Sequence, residues 1–320
     1  MNPEETKKTL EDHLIQQVKK SGYPLEIEIS NILESRHYVV FNSQYYFDEE
    51  IQQGRDIDVY ALPLDPDPLN DEILPFRLRL ELAIECKKSE PYVWVFYTRP
   101  RIPMNSIYIT GQLTTSFPKL GKFSGDSSEW LLESECLKLH YDGFERIAVA
   151  YDELKKGKAN EKAGSHRNEI FEATNQLTKF VNYLNHRTEK NISELPEDRP
   201  KREMIMILFP IIVFDGDMFE VFFKGGEPML WKTKHILLST HRHCPYCKDS
   251  KSFTIDVVHR SYFEEFTDLL RIHFIRKIWQ FFLLSLFKGT LRFRLQDFTF
   301  SLRIFLSWEV FSGSQPKPNK

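Results

Sequence analysis

A chain of 320 residues in which 41% are hydrophobic and 28% are charged can bury one large core or two modest ones, as globular proteins do. A formal net charge of −3 argues against a basic field over the whole surface, such as attracts nucleic acid. Four cysteines do not make a disulfide framework in a chain this long, and the acidic, mixed start shows no secretory signal. We therefore expect a cytoplasmic protein without a transmembrane segment.

The first part of the chain predicts two helices and a strand. Apolar residues recur at helical spacing through residues 3–20 and predict the first helix. Residues 24–36 predict a second helix, in which Glu26 and Glu28 both flank the apolar stripe. Residues 38–46 are rich in aromatic side chains and predict a strand.

An acidic strand comes next, over residues 55–61. Successive side chains of a strand point to opposite faces, so we expect Asp56 and Asp58 on one face and Ile57 and Val59 on the other. A loop rich in proline and acidic residues then leads to a further strand.

The second acidic strand is predicted over residues 76–87, where strict alternation places Glu85 and Lys87 on one face. Asp56, Asp58 and Glu85 then form a group of carboxylates that repel one another unless a cation neutralises them, and a hard divalent ion such as Mg²⁺ suits oxygen ligands. Such an ion polarises a phosphoryl oxygen while Lys87 steadies the nucleophile or the developing charge, which is the chemistry of phosphodiester hydrolysis. The alternative is a solvated face with a surface ion pair between Glu85 and Lys87.

The middle of the chain is harder to interpret. After a break at residues 89–91, residues 92–97 predict a buried strand. Residues 98–168 predict an insertion over the site, containing a strand at 146–150. Residues 168–185 predict an amphipathic helix.

The following part predicts more sheet. After a charged linker over residues 186–202, residues 203–223 predict a β-hairpin whose turn is at residues 215–217. Residues 253–258 predict a further strand, and residues 261–276 a helix.

Cys244 and Cys247 form a Cys-x-x-Cys pair preceded by His241 and His243. Such a pair can bind zinc, but a structural zinc site needs four ligands and no second pair follows. A redox pair and a simple turn are the alternatives, and the turn is favoured.

The tail, residues 271–320, is apolar and aromatic and carries nine Lys or Arg against Asp297 and Glu309, a net charge of +7. Core helix and strands, a nucleic-acid surface, and an interfacial or oligomerising segment are its three interpretations. Its longest uncharged run, ten residues from 278 to 287, is too short to span a membrane.

The order of these elements resembles a known family. A helix with a glutamate, a strand that reads DVYA from Asp58 and a strand that ends in IECK at Lys87 resemble the PD-(D/E)XK nuclease superfamily of restriction endonucleases and Holliday-junction resolvases. The sequence departs from the family pattern at three points. No proline precedes Asp58, His37 stands where the family has a glycine, and Glu28 competes with Glu26 for the helix position.

The resemblance implies an α/β fold with a restriction endonuclease-like core, in which helices flank a mixed central β-sheet, and a C-terminal α+β extension. The resemblance covers roughly residues 22–96, under a third of the chain. We expect the core to span residues 1–225, with the insertion around 98–168, and the extension, which is aromatic-rich and basic, to span residues 226–320.

The resemblance also implies a metal-dependent endonuclease, a hydrolase that cleaves DNA. Asp58 and Glu85 are then ligands of Mg²⁺, or of Mn²⁺ in its place, with the carbonyl of Cys86 as a further ligand. Lys87 orients the attacking water, and Glu26 helps to hold the metal or its waters.

Further roles stay open at this point. Family members often direct a glutamine or lysine at the site from a later helix, and Gln176 or Lys179 matches it, although a polar residue on a solvent face is the alternative. Cleavage of both strands suits a homodimer. The alternative function is a nuclease-like fold without activity that serves as a nucleic-acid-binding or assembly module, and membrane-surface contact through the tail is a third, weaker hypothesis.

Overall fold

The computed structural model describes residues 3–64, 76–100, 113–115, 144–157, 169–193, 203–243 and 250–270. Its α-helices are α1 (Pro3–Lys20), α2 (Tyr23–Ser35), α3 (Glu169–Ser193) and α4 (Phe263–Leu269), and a 3₁₀ helix, Arg260–Tyr262, leads into α4. Its strands are β1 (Tyr38–Asp48), β2 (Gln53–Pro63), β3 (Phe76–Pro100), β4 (Leu113–Thr115), β5 (Arg146–Lys155), β6 (Glu203–Lys224), β7 (Glu227–Lys232), β8 (His235–His243) and β9 (Ser250–His259). The protein therefore has an α/β fold.

Nine strands of the described part form one mixed sheet. Its order is β1-β2-β3-β5-β8-β9-β6-β4, and β7 pairs with β6. β1, β2, β3 and β5 pair antiparallel in succession, whereas β6 runs parallel to both β3 and β9. Since β3 also pairs directly with β6, the pairings from β3 through β5, β8 and β9 to β6 form a closed cycle.

Helices cover both faces of the mixed sheet, which agrees with the expected α/β fold. α2 and α4 bury Ile29 and Phe263 in one hydrophobic cluster with β2, β3 and β6. α3 buries Leu177 and Phe180 in a second cluster on the opposite face. Each large apolar side chain buried in this way stabilises the fold by about 1.5–3 kcal/mol relative to its exposed state. We call these two layers the α2 side and the α3 side of the sheet.

The prediction of a hairpin turn at residues 215–217 is wrong. β6 continues through these residues and pairs with β3 before and after them. Gly216 does not form a turn. Its lack of a side chain allows β6 to pass close to β3, because a Cβ there would lie 2.7 Å from the carbonyl oxygen of Ser89. The turn comes later, at Gly225 and Gly226, whose φ angles of 62° and 92° suit a tight hairpin between β6 and β7.

β3 passes through the residues that were predicted to break it. Its pairing with β6 shifts register between Lys88 and Val93, so the intervening residues bulge out while the strand goes on to pair with β5. The short turn signal in the sequence therefore marks a bulge within one long strand.

Other predicted boundaries also differ. Helix α3 extends to Ser193, into residues predicted as a linker. β4 and β5, within the predicted insertion, are strands of the sheet, and the division predicted near residue 225 falls inside this sheet because β7, β8 and β9 belong to it. Cys244, Cys247 and the tail 271–320 lie outside the described residues. Among the helices that are described, none combines the length and apolarity needed to cross a membrane.

Candidate active site

Asp58 lies at the point where β2 and β3 separate. The two strands pair from Ala61–Leu82 to Val59–Ile84, and Asp58 is the next residue of β2. Its Oδ2 accepts a hydrogen bond from the backbone N–H of Cys86 at 2.7 Å. The carboxylate therefore takes the place of a strand partner, which fixes it beside the end of the E-x-K sequence.

Glu85 and Lys87 complete the centre of the site. Lys87 Nζ donates to Glu85 Oε2 at 2.6 Å and lies 3.9 Å from Asp58 Oδ2. The Glu85 side chain has no exposed surface, whereas those of Asp58 and Lys87 keep 23% and 22% of theirs. The solvated surface ion pair that was the alternative for Glu85 and Lys87 is therefore wrong, because the carboxylate is fully buried.

Burial dominates the ionisation of this cluster. It raises the pKa of Glu85 to about 8, against the lowering effect of Lys87, and it also raises the pKa of Asp58. Burial alone would lower the pKa of Lys87, yet the carboxylates of Glu85 and Asp58 raise it overall. The ammonium therefore stays charged and is the stabilising partner of both carboxylates.

The structure distinguishes the two glutamates of α2. The pKa of Glu26 is raised, first by burial and next by the negative charge of Asp58, so Glu26 lies within electrostatic reach of the site. Glu28 instead forms an ion pair with Arg260, 2.5 Å between Oε2 and Nη2. Glu26 is therefore the helix residue that the fold brings towards Asp58 and Lys87.

The alternation predicted around Asp58 is interrupted. Ile57 packs in the α3-side cluster and Val59 in the α2-side cluster, so the expectation that they share a face is wrong. Opposite Asp58, Ser43 of β1 adopts a φ of 50°, and the pairing of β1 with β2 omits both residues. The left-handed backbone of Ser43 therefore interrupts the hydrogen bonding between β1 and β2 at the position of Asp58.

Gln176 and Lys179 on α3 make other contacts. The side-chain amide of Gln176 donates to the backbone carbonyl of Asp56, which ties α3 to β2 just before the site. Lys179 Nζ lies 2.6 Å from Asp48 and 2.9 Å from Glu50. Through these contacts, Gln176 and Lys179 hold the strands β2 and β1 that lie beside the site.

No local pattern in the sequence indicates the ion-pair cluster around Lys179. Asp48 is 3% exposed and is held by Lys179, which follows it by 131 residues. Arg242 of β8 joins this cluster through an ion pair with Glu50. Only the packing of α3 against the end of β1 makes the acidic residues at 48–50 an anchor.

The side chains of the site offer a divalent cation a small set of oxygen ligands. Within the described ranges, no group of three or more His, Cys, Asp or Glu side chains is arranged to hold a metal ion. Asp58 and Glu85 nevertheless converge on one cation, the Lys87 ammonium, and Glu85 Oε1 is buried without a hydrogen-bond partner. Because Mg²⁺ commonly takes one or two carboxylates and keeps several waters, two convergent carboxylates with a vacant acceptor fit such an ion.

Comparison with protein-family models, with curated proteins and with solved structures gives no match for this chain. The resemblance to the PD-(D/E)XK superfamily stays a prediction that depends on Glu26, Asp58, Glu85 and Lys87. The chemistry of these four side chains determines which reactions the site can support.

Proposed function

We propose that the protein is a metal-dependent nuclease of the PD-(D/E)XK type that hydrolyses phosphodiester bonds in DNA. One observation carries the proposal: Asp58 and Glu85 converge on the Lys87 ammonium at the place where two paired strands separate. A restriction endonuclease-like core is part of the same proposal.

The charge balance of the site supports a cationic cofactor. Three carboxylates, those of Glu26, Asp58 and Glu85, lie in the electrostatic neighbourhood of one ammonium, and burial raises the pKa of each. This leaves excess negative charge once all three are ionised, which a divalent cation would neutralise. Asp58, Glu85 and the Cys86 carbonyl would hold Mg²⁺ or Mn²⁺, which would supply Lewis-acid polarisation of the scissile phosphoryl group.

The protein's own residues have distinct tasks in this mechanism. Lys87, the one of the four that is cationic, donates to the attacking water or to the phosphoryl oxygens as their negative charge grows. Glu26 accepts a hydrogen bond from a water in the site and so limits its orientations. The Cys86 N–H keeps Asp58 Oδ2 in place, which leaves the other carboxylate oxygen for the cofactor.

A plasmid-nicking assay tests the proposal. Purified protein with Mg²⁺ should nick or linearise supercoiled DNA, and Lys87→Ala should reduce the rate by about 100-fold or more. The matched control is Lys88→Ala, which removes the neighbouring lysine and should leave the rate within about twofold. Equal rates for wild type and Lys87→Ala would refute the assignment of the site.

The second candidate function is a nuclease-like module that binds nucleic acid or a partner protein without cleaving. The position of Lys87 favours it, since its ammonium already neutralises both carboxylates and the described residues hold no group of three ligands. Titration calorimetry with Mg²⁺ separates the two proposals. Binding by the wild type that Asp58→Asn abolishes supports the nuclease, whereas no binding by either, in the presence of a short DNA duplex, supports the module.

DNA as the partner and a homodimer as the cleaving form belong to the same proposal. A dimer would place two such sites on opposite strands of a duplex. Analytical ultracentrifugation with and without duplex DNA measures this directly, and a monomer on cleaved DNA would restrict the activity to single-strand nicking.

A further inference from the structure

A cavity of about 240 Å³ lies on the α3 side of the sheet, between β1, β2 and α3. The volume is far larger than the gaps that close packing leaves between side chains. It is slightly smaller than the roughly 300–1,000 Å³ of pockets for drug-sized ligands. One planar ring system therefore suits it, and we call it the aromatic cavity.

The accessible wall of the cavity is aromatic. Tyr45 and Phe41 of β1 line it and are 62% and 40% exposed. Phe41 packs against Tyr60, with 5.9 Å between the ring centroids, and Tyr183 of α3 lines the cavity as well. Aromatic side chains that keep exposed surface offer their ring faces to a ligand, and stacking on such faces suits a planar, unsaturated group.

The acid in the lining is closed to a ligand. Glu81 is 1% exposed, and its Oε2 accepts a hydrogen bond from the hydroxyl of Tyr60. Its carboxylate therefore selects no hydrogen-bonding edge of a ligand. Stacking, which tolerates every nucleobase because each has a π face, is the main interaction that the wall offers.

A cation completes the lining. Arg187 of α3 is exposed, lines the same cavity and has no ion-pair partner among the residues that the structure describes. A guanidinium presents several N–H donors in one plane and can bind two phosphate oxygens at once. An anionic planar ligand therefore complements the cavity better than a neutral one. Proteins hold single-stranded nucleic acid with the same combination, in which aromatic rings stack on bases and cations contact phosphates.

The cavity lies on the same side of the sheet as two residues of the candidate active site. Ala83 of β3 packs in the α3-side cluster, and alternation along the strand places Glu85 and Lys87 on that face as well. Tyr46 connects the two places. Its ring lies 5.8 Å from that of Tyr183, and the charge of Glu85 adds to the larger effect of burial in raising its pKa. A strand with one base in the cavity would therefore continue towards the candidate active site.

We propose that the aromatic cavity stacks one unpaired base, whichever base it is, of the nucleic-acid strand that the protein cleaves, while Arg187 binds a neighbouring phosphate. The proposal rests on the proposed function for the identity of the strand, and on the cavity alone for its chemistry. A base inside a duplex must leave the stack before a side chain can cover its face. The cavity therefore favours single-stranded over paired substrate.

Strand binding in EDTA tests the cavity apart from cleavage. Full-length protein is titrated by calorimetry with oligothymidylate of about eight nucleotides, and with an abasic strand of the same length that keeps every phosphate and lacks every base. We expect the intact strand to bind about tenfold more tightly, and oligoadenylate to bind within about threefold of oligothymidylate. Equal affinities for the intact and abasic strands, or no binding of the intact strand up to about 1 mM, overturn the proposal.

The ring and the cation should leave different signatures. Tyr45→Ala should weaken the intact strand by about fivefold or more and leave the abasic strand within about twofold, and Tyr45→Phe, which keeps the ring, should bind like the wild type. Arg187→Ala should weaken both strands and reduce the salt dependence of binding, because it removes a phosphate contact. Tyr23→Ala, which removes a similarly exposed tyrosine at the start of α2, is the control. An equal loss in Tyr45→Ala and Tyr23→Ala would locate binding elsewhere and refute the assignment.

Thymidine 5′-monophosphate and a blunt duplex identify the source of the base. The mononucleotide should bind at least about tenfold more weakly than oligothymidylate, since a strand adds phosphate contacts outside the cavity. Equal affinity would make the cavity a site for free nucleotides and overturn the assignment to a strand. Tyr45→Ala should leave the affinity for the duplex unchanged, and a loss there equal to the loss for oligothymidylate would overturn the preference for unpaired bases.

The Lys87→Ala variant separates this inference from the nuclease proposal. It should keep the difference in affinity between the intact and abasic strands while it loses cleavage. Base-dependent binding by a wild type that cleaves no DNA would uphold the cavity and defeat the nuclease, and cleavage without base-dependent binding would do the reverse.

Discussion

The Lys87 ammonium lies 2.6 Å from a carboxylate oxygen of Glu85, whose side chain has no exposed surface. Removing one partner of a buried ion pair leaves the other uncompensated. We expect Lys87→Met to lower the free energy of unfolding by about 2–3 kcal/mol at about pH 9, where the Glu85 carboxyl is ionised, measured by urea denaturation in EDTA. Lys88→Met is the control and should cost less than about 0.5 kcal/mol. Similar losses in both variants would mean that the pair with Glu85 contributes no stability.

Stability in EDTA should fall as the pH rises towards 8. Burial raises the pKa of Glu85 from 4.5 to about 8 in the folded protein, so between these values the folded chain binds a proton that the unfolded chain has released. The contribution of Glu85 to stability is therefore complete below pH 4.5 and is lost as the pH rises through about 8. Urea midpoints across this range measure the trend. Glu85→Gln, which cannot titrate, should flatten it, and an unchanged slope would contradict the assignment.

Mg²⁺ should stabilise the protein, and more strongly at high pH. Metal ligands must be deprotonated, and burial holds the proton on Glu85 until the pH approaches 8. At a free concentration of about 100 times the dissociation constant, the gain in unfolding free energy is about 2.7 kcal/mol. Thermal unfolding with and without Mg²⁺ measures it. Asp58→Asn should abolish the gain and Asp56→Asn should keep it, so loss in both variants would argue against a specific ligand role for Asp58.

The two glutamates of α2 should differ in function. Glu26 lies within reach of Asp58, whereas Glu28 is bound to Arg260. We expect Glu26→Gln to reduce DNA cleavage by about 10–100-fold, since in the proposed mechanism Glu26 holds the water or the cofactor. Glu28→Gln should keep the cleavage rate within about twofold and lose some stability instead. A reversed order of the two rates would show that the helix has been assigned the wrong glutamate.

Two glycines should respond differently to alanine. Gly225 has a φ of 62° with open space around it, so Gly225→Ala should cost only about 1–2 kcal/mol of backbone strain. Gly216→Ala would bring a methyl group to 2.7 Å from the Ser89 carbonyl oxygen and should cost more, because backbone must move. Urea denaturation of both variants compares them. Equal costs would mean that β6 and the β3 bulge separate easily.

Local periodicity was sufficient for part of the fold and part of the site. Alternation over 76–87 predicts a strand with Glu85 and Lys87 on one face, and the structure has both on β3 with their side chains in contact. The apolar stripe of the helix at 168–185 likewise faces the sheet, where Leu177 and Phe180 are fully buried. Such patterns depend only on residues that are near one another in the chain.

The rest depends on long-range pairing. Asp215, Gly216 and Asp217 have the composition of a turn, yet the parallel neighbour β3, more than a hundred residues earlier, keeps them in a strand. Glu26 and Glu28 flank the same stripe, and the choice between them is made by Arg260, which follows Glu28 by 232 residues. No local pattern in the sequence contains either relationship.

The hydrogen bond from the Cys86 N–H gives Asp58 a structural role that does not depend on any chemistry. It makes the aspartate a structural brace as well as a candidate ligand, since a small apolar residue at this position would leave a buried backbone donor without its acceptor. An aspartate at this position is therefore not by itself evidence of catalysis, since the strand needs its oxygen as an acceptor whether or not the site is active.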